Sequence, residues 1–110
     1  MELRGWLSDD YRGGILCFLE MVKRVEAFYS GQVQGVGFRF TVERLAVELD
    51  IRGWARNLAD GRVQLVGEAE EETIKNFLER IKRRFSVYIS DIDLQWIEAS
   101  GEFPDFQIRF

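Results

Sequence analysis

Hydrophobic positions change period along the chain, and the changes divide it into elements. Over residues 24–29, Val25, Ala27 and Tyr29 alternate with Arg24, Glu26 and Phe28, the two-residue period of a strand. Phe38, Val42, Leu45, Ala46 and Leu49 then recur at helical spacing, with Glu43, Arg44 and Glu48 on the other side. Residues 51–58 read as a second strand. It is joined to a third, over 62–66, through Leu58-Ala59-Asp60-Gly61, whose Asp-Gly pair predicts a hairpin. A helix is predicted over 70–85, with Ile74, Phe77, Leu78, Ile81 and Phe85 along one face. Glu70, Glu71 and Glu72 open it and Arg80, Lys82, Arg83 and Arg84 close it, each sign matching its dipole end. Residues 91–97 alternate again, with Ile92, Leu94 and Trp96 predicted to face a core. Phe106, Ile108 and Phe110 mark a last short strand.

The order βαββαβ plus a short C-terminal strand is that of an α+β, ferredoxin-like sandwich. Two helices cover one face of a mainly antiparallel sheet, and the third strand is inserted between the first two. Residues 1–22 stand apart as an N-terminal extension ahead of a domain over 23–110. Asp9, Asp10, Arg12, Gly13 and Gly14 read as loop, while Ile15, Leu16, Phe18, Leu19 and Val22 fall at helical spacing. The plain reading is an extension lying outside the domain; the sharper one is a helix that docks on a partner chain.

Composition narrows the function. A chain of 110 residues with 46% apolar content forms one globular domain and is not disordered. Its net charge of −4 offers no basic surface for nucleic acid, and the basic run 80–84 is accounted for by a helix C-terminus. Cys17 is the only cysteine, which excludes an internal disulfide framework and a cysteine-based metal cluster, and suits a reducing cytoplasm. No apolar run reaches the ~18 residues that would cross a bilayer, so no membrane association is expected. Histidine is absent altogether. Any catalysis then falls to carboxylates, lysine, arginine, amides or the substrate itself.

Between the first strand and the first helix lies Gly31-Gln32-Val33-Gln34-Gly35-Val36-Gly37-Phe38-Arg39. A glycine-rich turn at a helix N-terminus can aim successive N–H groups into one anion-binding hollow. A dinucleotide fingerprint fails because Phe40 stands where its third glycine belongs, and a nucleotide P-loop fails for want of a following lysine. The competing reading is a tight turn whose glycines serve backbone geometry alone. Against it, Gln34, Gly35, Val36, Gly37, Phe38 and Arg39 offer consecutive N–H donors without a proline, and the planar fork of Arg39 suits phosphoryl oxygens. Asn57, near the end of the second strand, carries an amide that can both donate to and accept from a water; its competing role is to cap the hairpin. Such a set can stabilise a transferring phosphoryl group and align a water, but it cannot protonate a poor leaving group. A leaving group with a pKa of ~4 meets that limit, and acyl phosphates have one.

These residues resemble acylphosphatase. The stretch from Gly31 to Arg39 matches the family's G-x-V-Q-G-V-x-F-R signature. Gly53-Trp54-Ala55-Arg56-Asn57 with Asp60-Gly61-Arg62-Val63 resembles its second signature, and Phe106-Gln107-Ile108-Arg109-Phe110 is similar to its aromatic-rich last strand. The resemblance covers about residues 23–110. It implies that Arg39 binds the phosphate, that the amides of residues 34–39 form the cradle, and that Asn57 orients the attacking water. It implies no metal and no cofactor. The implied substrate is a small-molecule acyl phosphate, with inorganic phosphate or sulfate as competing anions. A monomer is expected, with an edge-strand dimer as the alternative. The chain departs at Asp50, where the family often has a glycine closing the first helix, at Ala69 and at Tyr29. Two rival readings are a binding module that has kept the fold without turnover and a carbamoyl-phosphate domain of a larger maturation enzyme. The zinc-type cysteine pairs that accompany the latter are absent here.

Overall fold

The computed structural model describes residues 21–110. Its elements are β1 (Val22–Gly31), α1 (Phe38–Glu48), β2 (Arg52–Asn57), β3 (Val63–Glu70), α2 (Glu71–Arg84), β4 (Ile89–Glu98) and β5 (Phe106–Arg109). They form one sheet in the order β4-β1-β3-β2-β5, antiparallel except for the parallel pair β2–β5. This is the ferredoxin-like sandwich, with β3 inserted between β1 and β2 as expected. Val22, grouped by spacing with the apolar positions before it, is instead the first residue of β1. The helical reading of residues 15–19 lies outside the described residues.

The strand and helix periods converge on one core. Val25, Ala27 and Tyr29 of β1, Ala55 of β2, and Val63 and Leu65 of β3 are buried beneath Phe38, Val42 and Ala46 of α1 and Ile74, Phe77 and Ile81 of α2. Each of the large side chains removed from water contributes roughly 1.5–3 kcal/mol. Helix α1 lies over β2 and β5, and α2 over β3 and β1.

The turn from α1 to β2 explains one departure noted in the sequence. Ile51 N donates to Ala46 O and Asp50 N to Val47 O, the paired bonds of a Schellman closure. That closure needs a left-handed residue, and Asp50 supplies it at φ 58°. Aspartate tolerates the conformation better than most residues because its short side chain is polar and unbranched.

Strand β3 runs four residues beyond the Val66 end read from the sequence. Gly67 and Glu68 break the apolar alternation, yet both stay in the ladder, opposite Val25 and Arg24 on β1. Glu68 is buried because its carboxylate is fully engaged. It accepts from Arg24 Nε at 2.8 Å, Ser100 N at 2.8 Å, Ser100 Oγ at 3.1 Å and Gly101 N at 2.9 Å. These bonds fasten the segment that leaves β4 and crosses the end of the sheet to reach β5. Parallel pairing of β5 with β2 depends on that crossing.

Burial by itself raises the Glu68 carboxyl, but bonds from Ser100 N, Gly101 N and Arg24 outweigh it, so its pKa lies below the ordinary glutamate value. A carboxylate of lowered pKa adds stability above its unfolded pKa of ~4.3 and loses it as pH falls through the folded value. Glu68→Ala also leaves Arg24 without its buried partner and is expected to cost about 3 kcal/mol at pH 7. Urea unfolding at pH 7 and pH 3 checks both points: the gap between wild type and Glu68→Gln should narrow at the lower pH.

Candidate active site

The hollow between β1 and α1 begins with its backbone. Gly35 and Gly37 both adopt left-handed conformations, at φ 82° and 80°, while Val36 between them does not. Alternating handedness of this kind is the backbone pattern that can turn successive N–H groups to one side, as in an anion nest. A Cβ at either glycine would meet nothing within 4 Å, so backbone conformation, not space, requires glycine here. Among the described residues, no N–H from Val33 to Phe40 donates to a main-chain carbonyl outside regular helix and strand bonding. The first helical bond runs from Thr41 N to Gly37 O, so the amides of Phe38, Arg39 and Phe40 precede it. Gly37 offers no side-chain cap, and the first turn of α1 holds no acidic residue, whereas α2 carries Glu71 and Glu72 there. The positive end of α1 is left bare.

Aromatic packing holds this helix start in place. Phe38 is buried, with its ring 5.0 Å from that of Tyr29 and 4.8 Å from that of Phe85. At the loop entrance Gln32 N donates to Tyr88 O at 2.8 Å.

Arg39, one residue into α1, extends its guanidinium toward the end of the chain. Nη1 donates to Arg109 O at 3.2 Å, and the group lies 4.8 Å over the Phe110 ring. Among the described residues it forms no salt bridge. Arg109 is in register with Arg56, the neighbour of Asn57.

Asn57 stands opposite Val63, which stands opposite Tyr29, so the three form one row across β2, β3 and β1. Two strand spacings, ~10 Å, separate Asn57 from the strand that feeds the hollow. Asn57 shares a face with buried Ala55, so its side chain is on the helix side, as are α1 and the glycine turn. The glycine turn, Arg39 and Asn57 therefore lie at one end of the sheet, on the helix side. Hairpin capping does not occupy Asn57. Asp60 caps that turn, accepting from Arg62 N at 3.1 Å and Arg62 Nε at 2.9 Å. Asn57 Oδ1 is buried and has no hydrogen-bond partner among the described residues.

The matching family model is that of acylphosphatase, over residues 25–108. The chain belongs to the acylphosphatase family. It is 39% identical over 89 residues to the acylphosphatase of Caldanaerobacter subterraneus subsp. tengcongensis, covering 80% of this chain and 99% of that one. It is 38% identical over 90 residues to the acylphosphatase of Methanospirillum hungatei, covering 80% and 98%. Its structure matches the crystal structure of acylphosphatase from Bacillus subtilis with a TM-score of 0.74 and 31% identity, covering 80% and 99%. An acylphosphatase hydrolyses acyl phosphates, and this chain is such a hydrolase. Among the described residues no helix is long and apolar enough to cross a membrane.

One contributor at this acylphosphatase site escapes sequence reasoning, which weighed Gln34 only for its backbone. Its Nε2 donates to Leu58 O at 2.8 Å and to Arg62 O at 3.0 Å. The carboxamide thus ties the glycine turn to the hairpin at the residue following Asn57. No local pattern marks it, because both partners lie more than twenty residues along the chain. Gln34→Ala should remove the second donor from each carbonyl, leaving Leu58 O with Gly61 N and Arg62 O with Leu58 N, at a cost of about 1 kcal/mol. Amide exchange then reads the result directly: the Leu58 and Gly61 N–H groups of the hairpin should exchange faster than in wild type. Unchanged exchange would mean the hairpin holds itself.

Proposed function

We propose that the chain hydrolyses acyl phosphates by in-line attack of a water on a phosphoryl group held in the glycine turn. The N–H groups of Gln34, Gly35, Val36, Gly37, Phe38 and Arg39 receive the phosphoryl oxygens, and the Arg39 guanidinium neutralises their charge. Asn57 holds the water opposite the leaving group. The oxygen of that water forms a bond to phosphorus as the bond to the acyl oxygen breaks. The electron pair leaves with the carboxylate, and the water's proton passes to a phosphoryl oxygen. The products are a carboxylate and inorganic phosphate. No histidine is needed, since the leaving group departs as a stable anion and the transition state is loose.

The observation that carries this reading is Asn57 Oδ1, a buried acceptor without a partner among the described residues, at the same end of the sheet as an uncapped helix N-terminus. A buried, unpaired acceptor costs ~1–3 kcal/mol, and a bound water that it fixes would recover that cost. Left-handed Gly35 and Gly37 support the cradle, and the absence of a described carboxylate partner leaves Arg39's charge available for a phosphate. Every group in the scheme comes from a single chain, so a monomer suffices.

Phosphate release from benzoyl phosphate tests the assignment. Asn57→Ala should lower kcat by ~10²–10³ with little change in KM, as loss of a transition-state contact does. Arg39→Ala should lower kcat and raise KM together. Equal release by wild type and Arg39→Ala would overturn the mechanism. Sulfate should compete with substrate, and Gly37→Ala should weaken that competition, because a side chain in the left-handed region costs ~1–2 kcal/mol and the turn would move to relieve it.

A further inference from the structure

Helices cover one face of the sheet, and incompletely. Leu94 and Trp96 of β4 share that face with buried Ala27 and Val25, yet remain 37% and 38% exposed. Both helices lie on that side, so the opposite face of the sheet is open among the described residues. One row of the open face runs Asp93, Phe28, Gln64, Arg56 and Arg109 across β4, β1, β3, β2 and β5. Opposed residues share a face, and Phe28 and Arg56 alternate with buried Ala27 and Ala55. Charge is divided between the strands. Strand β4 carries Asp91, Asp93 and Glu98 and no cation, whereas β2 and β5 carry Arg52, Arg56 and Arg109 and no carboxylate. The net charge of −4 averages over that division.

The cationic end is also aromatic. The Arg56 and Arg109 guanidinium groups lie over the Trp54 ring, 5.3 Å and 4.7 Å from its centre. Arg62, just before β3, lies 4.7 Å over the Phe28 ring. Trp54 and Phe28 are half-buried, while Arg56 and Arg109 are exposed. Among the described residues neither Arg56 nor Arg109 forms a salt bridge, and Arg56 Nε donates to the neutral Gln64 Oε1 at 3.2 Å. The carboxylate of the row, Asp93, lies three strand spacings from Arg56, ~14 Å, beyond the ~8 Å screening length of physiological salt. Two exposed guanidinium groups thus keep their stacking and lack a counter-charge.

We propose that this end of the open face binds single-stranded nucleic acid. A guanidinium resting on an indole offers its outer plane to a base and its N–H edge to a phosphate, so one group meets both parts of a nucleotide. Gln64 and Gln107, in register with Arg56 and Trp54, add amides that can donate to or accept from base edges. Planarity selects this occupant over an acidic peptide, which shares the charge but brings no ring with each residue. A duplex is disfavoured because its bases are already stacked on one another. The glycine turn is on the helix side, so this surface is separate from the proposed hydrolytic site.

Fluorescence anisotropy of a labelled oligothymidylate of about ten nucleotides, titrated with the full-length chain, tests the proposal. Binding should weaken with salt. Arg56→Gln with Arg109→Gln should reduce the slope of log K against log[salt] by about 1.4, two phosphate contacts at ~0.7 each. Trp54→Leu should weaken binding about tenfold or more, while Trp54→Phe, which keeps a ring, should bind nearly as wild type does. Arg39→Ala should bind as wild type does. Loss of binding in Arg39→Ala but not in the double arginine variant would place the strand in the glycine turn and overturn the proposal. An unchanged salt slope in the double variant would overturn it too. So would competition by oligoglutamate as strong as that by unlabelled oligothymidylate, which would assign the face to acidic peptides. Absence of binding at low salt would end the proposal outright.

Discussion

A row of backbone N–H groups without carbonyl partners is the feature on which the site depends. Buried or confined donors ordinarily find acceptors, and helix starts ordinarily find a cap. Here the chain withholds both. Gly37 precedes α1 without a side-chain oxygen to offer, and no acidic residue stands in the first turn. The left-handed pair Gly35 and Gly37 keeps the turn from folding back on its own amides. In the same molecule α2 begins with Glu71 and Glu72, so the bare start of α1 is not a general habit of this sequence. In the proposed mechanism, a charge-complementary anion supplies what the protein omits.

The rest of the fold fastens that turn at several points. Phe38 is wedged between Tyr29 and Phe85, so the first residue of the helix is a core residue. Gln34 reaches across to the β2–β3 hairpin, and Gln32 to the α2–β4 turn. At the far end of the sheet, Glu68 fastens the crossing segment that lets β5 lie beside β2. The consequence returns to the site, because β5 presents Arg109 O and the segment after it presents Phe110 to the Arg39 side chain. A buried carboxylate at one end of the sheet thus conditions where a guanidinium rests at the other.

Much of this was legible in the chain because local and global signals agreed. Element order, strand insertion and the glycine turn all followed from periodicity and turn chemistry, and the turn lies where strand and helix patterns meet. The misses share a cause, which is dependence on distant partners. β3 was cut short at Val66 because Gly67 and Glu68 look like a strand end until Arg24, Ser100 and Gly101 are seen around the carboxylate. The side chain of Gln34 was overlooked because its acceptors are carbonyls remote in sequence, which no pattern encodes. Leu94 and Trp96 obey the alternation of a core-facing strand, but alternation reports direction only. Whether a helix lies above is decided by the width of the sheet. At Asn57 the sequence left two roles open, and Asp60 proved to be the residue that caps the hairpin.

Titration of the protein with inorganic phosphate, followed amide by amide in ¹H–¹⁵N spectra, tests the central claim most directly. Saturable downfield shifts should appear together at the backbone amides of Gln34, Gly35, Val36, Gly37, Phe38 and Arg39, and at the side-chain amide of Asn57. Phosphate binding that leaves those amide signals unmoved, with shifts gathered elsewhere on the molecule, would contradict it.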